Sequence, residues 1–225
     1  LEEPFRLILE VGYHPAKPPA PTVSAQEKQV GVLQQAKKKP VTRPLVVIDP
    51  GHGGPDPGAI GIRGLRETDV VLDVSLQVAA LLRARGVEVL MTRTREVDVD
   101  LPPRVSLANH SGATAFISIH ANALSMNRPD VNGIETFFFS DPRSARLAGY
   151  LQQQMMDVSP GTPNRGVRRG RFFVIRRTVM PAALVEMGFV TGAIDAPRLA
   201  RAEHRRRLAL ALATGILNYL RQEVR

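Results

Sequence analysis

Four residues of this chain are of types that hold metals or move protons, and each stands at the edge of an apolar run: His52, Glu67, His120 and Glu186. His52 lies in DPGHGGPDPG, where glycines at 51, 53 and 54 let the backbone turn sharply and leave an imidazole uncrowded. Two histidines and a carboxylate form one of the standard catalytic zinc sets, with a fourth position left for water. Zinc in such a set lowers the pKa of its water to about 7 and polarises a carbonyl, so an amide becomes open to attack at neutral pH. Consecutive members of the trio are 15 and 53 residues apart, which is not the helical HExxH arrangement, so the ligands must come from three separate elements. By spacing alone, each of the three also reads as an ordinary polar group satisfied at the end of a strand. Glu186 differs, because a carboxylate closing the apolar run AALV needs a partner or a task.

The elements that must position these groups follow from hydrophobic periodicity. PLVVID is a short apolar run closed by Pro50 and Gly51, the pattern of a buried strand ending in a tight turn. Residues 67–85 carry Val70, Val71, Val74, Val78, Leu81 and Leu82 at amphipathic helical spacing, with Glu67 in the first turn and Gly86 as the stop. GVEVLMT reads as a strand, PPRVSLANH as a short helix and TAFISIH as a strand ending on His120. In that strand His120 shares a face with Ser118 and Phe116, because side chains alternate. GIETFFFS is predicted as a strand, RSARLAGYLQQQMM as a helix, RFFVI and AALVEM as strands, and residues 197–222 as one terminal helix. Strands alternating with helices predict a three-layer α/β domain, with a largely parallel, mixed central sheet flanked by helices. Such sheets bind ligands at the carboxyl ends of their strands.

Composition narrows the function classes. The 225 residues carry 30 Lys and Arg against 21 Asp and Glu, a net +9, so the surface should attract a polyanion. With no cysteine, disulfides, thiolate nucleophiles and cysteine zinc sites are all excluded. Aromatic residues at 5% with no Trp leave no stacking platform for nucleic acid. No stretch approaches the 18 apolar residues of a membrane span, and residues 1–30 lack the apolar core of a signal peptide. Residues 1–12 alternate like a half-buried strand, and a Pro/Lys-rich linker follows to a domain boundary near Pro44, so the chain divides into 1–44 and 45–225. Asn122, Arg93 and Arg104 are candidates for contacting substrate. For the arginines, internal pairing with acids such as Asp49 is the competing reading, and for Asn122 it is a role in holding the loop. Asp49 and Asp56 are candidates for orienting a ligand histidine. Arg165, Arg168, Arg169 and Arg171 predict a basic loop able to hold anionic polymer, and His14, His110 and His204 read as surface residues.

The motifs IDPGHGGPDPGA, LRETDVVLDVS, VLMTRTREVDVDLPPRVSLAN, FISIHANA and ALVEMGFVT occur in one order across residues 45–222. In that order they resemble the zinc-dependent N-acetylmuramoyl-L-alanine amidases of the amidase 3 type. The resemblance implies that His52, Glu67 and His120 ligate one Zn2+ and that Glu186 is the general acid/base. It further implies cleavage of the amide between N-acetylmuramic acid and the L-alanine of the stem peptide. Peptidoglycan would then be the partner, with anionic wall polymers as a second, and a monomer would act in the periplasm or outside the cell. The strand PFRLILEVG resembles the last strand of the wall-targeting domains that often precede such amidases.

Family members controlled by division activators carry a long insertion after the HAN motif, with a helix that blocks the zinc. Only residues 121–132 separate His120 from the next predicted strand, which implies an open site. Two alternatives carry different expectations: a zinc hydrolase of another wall amide, and a non-catalytic wall-binding module driven by the positive charge.

Overall fold

A computed structural model of the chain describes residues 43–223. The amino-terminal strand and linker read from the sequence lie outside these residues. The described chain runs β1 (Leu45–Pro50), α1 (Glu67–Arg83), β2 (Glu88–Met91), α2 (Leu101–His110), β3 (Ala115–Asn122) and β4 (Ile134–Phe138). It continues through α3 (Pro142–Asp157), β5 (Asn164–Arg169), α4 (Phe173–Arg177), β6 (Ala182–Phe189), α5 (Asp195–Leu199) and α6 (Ala202–Glu223). The six strands form one sheet in the order β2-β1-β3-β6-β4-β5, parallel throughout except where β4 meets β6. The predicted three-layer, mixed α/β architecture is the one found.

Alternation along the strands divides the core in two. Val46 and Ile48 of β1, Ile117 and Ile119 of β3, and Val185 and Met187 of β6 point to one face. There α1, α3 and α6 cover them with Val70, Val74, Leu147, Leu151, Leu212 and Ile216. Val47, Phe116, Ala182 and Leu184 point to the other face, where α2 and α4 supply Val105, Ala108, Val174 and Ile175. Strands buried on both faces read as near-continuous apolar runs, as LVVI and AALV do. A polar side chain on such a strand is conspicuous, and those of β3 and β6 gather at the carboxyl ends.

Three sequence expectations differ from the structure. RFFVI is not a strand; residues 173–177 form the short helix α4, which seals the smaller core with Val174 and Ile175. The predicted basic loop is instead the edge strand β5, paired in parallel with β4. The terminal helix is two helices, α5 and α6, separated at Ala200 and Arg201.

Candidate metal centre and active site

His52 sits in the turn after β1 with φ +57°, a left-handed conformation that costs a non-glycine residue roughly 1–2 kcal/mol. Two buried arginines hold that turn by its carbonyl oxygens. Arg93 donates from Nη2 to Gly51 O at 2.6 Å and from Nε to Pro50 O at 3.2 Å. Arg104 donates to Pro50 O at 2.5 Å, to His52 O at 2.8 Å and to Asp49 Oδ1 at 2.9 Å. Asp49 also accepts from Thr92 at 2.6 Å and Ser118 at 2.8 Å. Both guanidinium groups are thus committed to the loop, and each arginine is only 3% exposed, so the internal reading replaces their candidacy for substrate carboxylates. Asp49 likewise reaches no histidine; its partners are Arg104, Thr92 and Ser118.

Glu67, at the start of α1, lies over the carboxyl ends of β1 and β3. Its Oε1 faces His120 Nδ1 at 3.0 Å and accepts from the Ala121 amide at 3.1 Å. Its Oε2 faces His52 Nε2 at 3.2 Å and accepts from the Ala59 amide at 3.0 Å. One ligand atom each from His52, Glu67 and His120 lies within 4.8 Å of the other two. Asp56 Oδ2 meets His52 Nδ1 at 2.8 Å, so of the two aspartate candidates Asp56 is the one whose carboxylate reaches a histidine of the cluster. A neutral His52 that donates Nδ1–H to Asp56 leaves its Nε2 lone pair directed at the cluster.

Backbone space around the cluster is used to the limit. A Cβ on Gly51 would lie 2.2 Å from His120 Cε1, and one on Gly58 would lie 2.7 Å from both Glu67 Oε2 and His52 Cδ2. The Glu67 hydrogen bond, partly opposed by burial, raises the His52 imidazole to about 9, with Asp56 adding to the effect. Hydrogen bonds from His120 and His52 hold the Glu67 carboxyl far below its usual range, although burial alone would raise it. Two imidazoles around a carboxylate, each able to trade its proton for a metal ion, fit a divalent cation such as zinc.

Glu186 stands beside this cluster in the sheet. Its register partners are His120 on β3 and Glu135 on β4, which places the three side chains in a row on one face. Glu186 is 8% exposed and its Oε2 has no hydrogen-bond partner. Burial, with the Glu67 and Glu135 charges adding to it, pushes the Glu186 carboxyl well above the usual range. Glu186 and both histidines line a cavity of about 380 Å³ whose sides include Val99, Leu101, Phe172 and Phe173.

Asn122 does not face this cavity: its Nδ2 donates to Glu135 Oε1 at 2.9 Å and its Oδ1 accepts from the Ala123 amide at 2.8 Å. Glu135, 3% exposed, also pairs with Arg165 at 3.2 Å and Arg168 at 3.3 Å. The sequence reading passed over Glu135, although a carboxylate alternating with apolar residues in GIETFFF signals one facing the same side as a site. His110 is exposed at the end of α2, His204 is half-buried on α6, and His14 lies outside the described residues. Residues 123–133, between β3 and β4, contain turns and no helix.

Residues 46–218 match the family model Amidase_3, described as N-acetylmuramoyl-L-alanine amidase. Among curated relatives, the chain is 38% identical over 187 residues to the N-acetylmuramoyl-L-alanine amidase LytC of Bacillus subtilis, covering 82% of this chain and 37% of LytC. It is 31% identical over 199 residues to the germination-specific N-acetylmuramoyl-L-alanine amidase of the same organism, covering 82% of this chain and 83% of that protein. Among solved structures, AmiC2 of Nostoc punctiforme, an N-acetylmuramoyl-L-alanine amidase, superposes with a TM-score of 0.76 at 46% identity, covering 79% of this chain and 97% of that one.

Proposed function

The chain belongs to the Amidase_3 family of N-acetylmuramoyl-L-alanine amidases, and from that membership and the site geometry we propose how residues 45–225 hydrolyse peptidoglycan. The bond cut is the amide between the lactyl group of N-acetylmuramic acid and the L-alanine of the stem peptide. His52, Glu67 and His120 would hold one zinc ion, since one ligand atom of each lies within 4.8 Å of the other two. Bound there, zinc supplies Lewis acidity toward the scissile carbonyl and acidifies the attacking water.

The chain's own residues supply the rest. Asp56 fixes the His52 ring through Nδ1, and the backbone amides of Ala59 and Ala121 hold the two Glu67 oxygens in place. The Glu186 carboxylate, which lines the cavity, takes a proton from the attacking water and delivers it to the departing L-alanine nitrogen. The carbon–oxygen bond forms and the carbon–nitrogen bond breaks, leaving a lactyl carboxylate and a free L-alanine amine. A carboxyl that burial holds above its usual range is a stronger proton acceptor than an ordinary carboxylate, which suits it to take the water's proton and hand it on.

The observation that carries this reading is one sheet row: His120, a member of the metal cluster, stands register-paired with a buried carboxylate, Glu186, whose Oε2 lacks a hydrogen-bond partner and which lines the same cavity. With residues 123–133 in turns, the site is open to substrate without an activator. Peptidoglycan lies outside the cytoplasmic membrane, so the protein acts in the periplasm or beyond it, as a monomer.

The test is metal content and muropeptide release from the parent and Glu186→Ala, prepared side by side. About one zinc in each, with new L-alanine amino termini from the parent alone, supports the proposal. Release of peptide cross-link products, or of acetate, would assign the site to another amide. No metal in either protein, with equal wall binding by both, would replace the enzyme reading by a binding module.

A further inference from the structure

A second cavity, of about 190 Å³, lies apart from the metal cluster and shares no residue with the cavity around it. Arg198, Arg201, His204 and Arg207 line it together with Ser159 and Glu203. Behind its lining residue Arg198 lies part of the fold's framework. Asp195 accepts from the amides of Gly133 and Phe189 and from the Thr162 hydroxyl, which ties together the start of β4, the end of β6 and the approach to β5. Arg198 donates to the same Thr162 hydroxyl at 2.6 Å. The cavity therefore sits on a rigid junction at the end of the sheet where β6 finishes.

Three kinds of donor belong to its lining residues and the helix start beside them. Ser159 is fully buried and its hydroxyl has no partner in the protein, an arrangement that costs free energy unless something else accepts the hydrogen bond. The backbone N–H groups of Ala202, Glu203 and His204, in the first turn of the 22-residue helix α6, donate to no protein acceptor among the described residues. Such a helix start carries partial positive charge and orphan donors. Three arginine side chains line the cavity against one lining carboxylate, Glu203, which Arg207 engages; the buried Asp195 carboxylate lies behind Arg198, where it already accepts three hydrogen bonds. Burial and the Arg198 and Arg207 charges hold His204 below its ordinary value, as a cationic pocket requires.

We propose that this cavity binds a phosphate group, either free or as the phosphodiester of an anionic polyol phosphate chain. A tetrahedral oxyanion offers acceptor oxygens in several directions, which matches a hydroxyl, a helix start and guanidinium groups better than a planar carboxylate does. The site faces the same end of the sheet as the metal cluster, so a wall-attached chain held here would keep the domain on its substrate.

The experiment uses the full chain, labelled for amide NMR and titrated with inorganic phosphate, with sodium chloride and sodium acetate at matched ionic strength as controls. The expected result is saturable shifts at Ser159 and Ala202–His204 with phosphate alone, weakened about tenfold or more in an Arg201→Gln/Arg207→Gln double variant. Both arginines are exposed, so that variant keeps its fold; Ser159→Ala, checked by spectral dispersion, should weaken phosphate as well. Cleavage of a soluble muropeptide should be unchanged in both. Co-sedimentation with a poly(glycerol phosphate) chain identifies the source: retention that the double variant loses assigns the polymer, and saturable phosphate binding without retention assigns the free ion. Linear, unsaturable shifts, equal shifts with acetate, or shifts untouched by the double substitution would overturn the proposal.

Discussion

Replacing Glu186 by Gln keeps the shape of the side chain and removes its charge and its proton, and the structure separates the two consequences. On the mechanism proposed, catalysis should lose the group that carries the proton, an effect of roughly 10²–10⁴ in rate, while zinc content should stay that of the parent because Glu186 is outside the metal cluster. Stability moves the other way. In the metal-free protein burial, reinforced by the Glu67 and Glu135 charges, lifts the Glu186 carboxyl well above its ordinary 4.5. Between 4.5 and that raised value the folded state holds more protons than the unfolded state, so the parent loses stability as pH rises through the window. The loss is at most about 1.4 kcal/mol per pH unit for one group, and it persists above the folded value. The Gln variant lacks this slope. It should match the parent near pH 4 and exceed it by about 1–3 kcal/mol at neutral pH, the scale on which a buried unsatisfied group is costly. Urea unfolding with chelator present, at half-unit steps from pH 4 to 8, measures the gap, and zinc loading should narrow it because the cation offsets the carboxylate charge. A gap independent of pH, or a zinc-loaded Gln variant within tenfold of parental activity, would refute the reasoning.

Chelation should abolish activity and zinc should restore it. Because His52 is raised to about 9 in the metal-free protein, zinc binding at pH 7 should release a proton, and affinity should fall as pH drops; calorimetry in two buffers of different ionisation enthalpy counts the proton. The same shift means that His52 contributes stability to the metal-free protein fully below 6.5 and loses it as pH rises through about 9. Asp56→Ala should weaken zinc about 10–100-fold in a chelator competition, by freeing the His52 ring. Arg104→Ala leaves Asp49 charged and buried, and should cost about 3–5 kcal/mol in urea unfolding.

The metal cluster was legible because glycines, histidine and carboxylate occur in ordered motifs, and the long helix because its valines repeat at helical spacing. Other parts escaped for physical reasons. RFFVI is a run of five with β-branched and aromatic residues, too short for periodicity to decide, and it becomes a helix because it must cap the smaller core beside α2. NRGVRR has no apolar alternation, yet it pairs as an edge strand, where charged residues also discourage further pairing. Its pairing brings Arg165 and Arg168 to Glu135, a contact between segments some 30 residues apart that no local pattern encodes. The break between α5 and α6 escaped because residues 198–213 carry mostly helix-forming residues, and the sequence has no glycine or proline at the junction.

Gly51 shows why the turn, more than the ligands, sets the precision of this centre. The His52 backbone is held in a sparsely populated conformation, and such strain persists only where surrounding bonds over-determine it. Here they do: the carbonyls of Pro50, Gly51 and His52 are each claimed by Arg93, Arg104 or both, and the Gly51 amide donates to Ile119 O at 3.0 Å. The turn therefore cannot retreat from β3, and a methyl group at position 51 must meet the His120 ring. Gly51→Ala should consequently fold but displace one imidazole, losing zinc and activity together while far-ultraviolet circular dichroism stays parental. Arg93→Ala should loosen the same turn from the other side and lower zinc affinity without touching a ligand. A Gly51→Ala protein that binds zinc as tightly as the parent would mean that His120 swings aside freely, and the backbone would then not be what fixes the geometry.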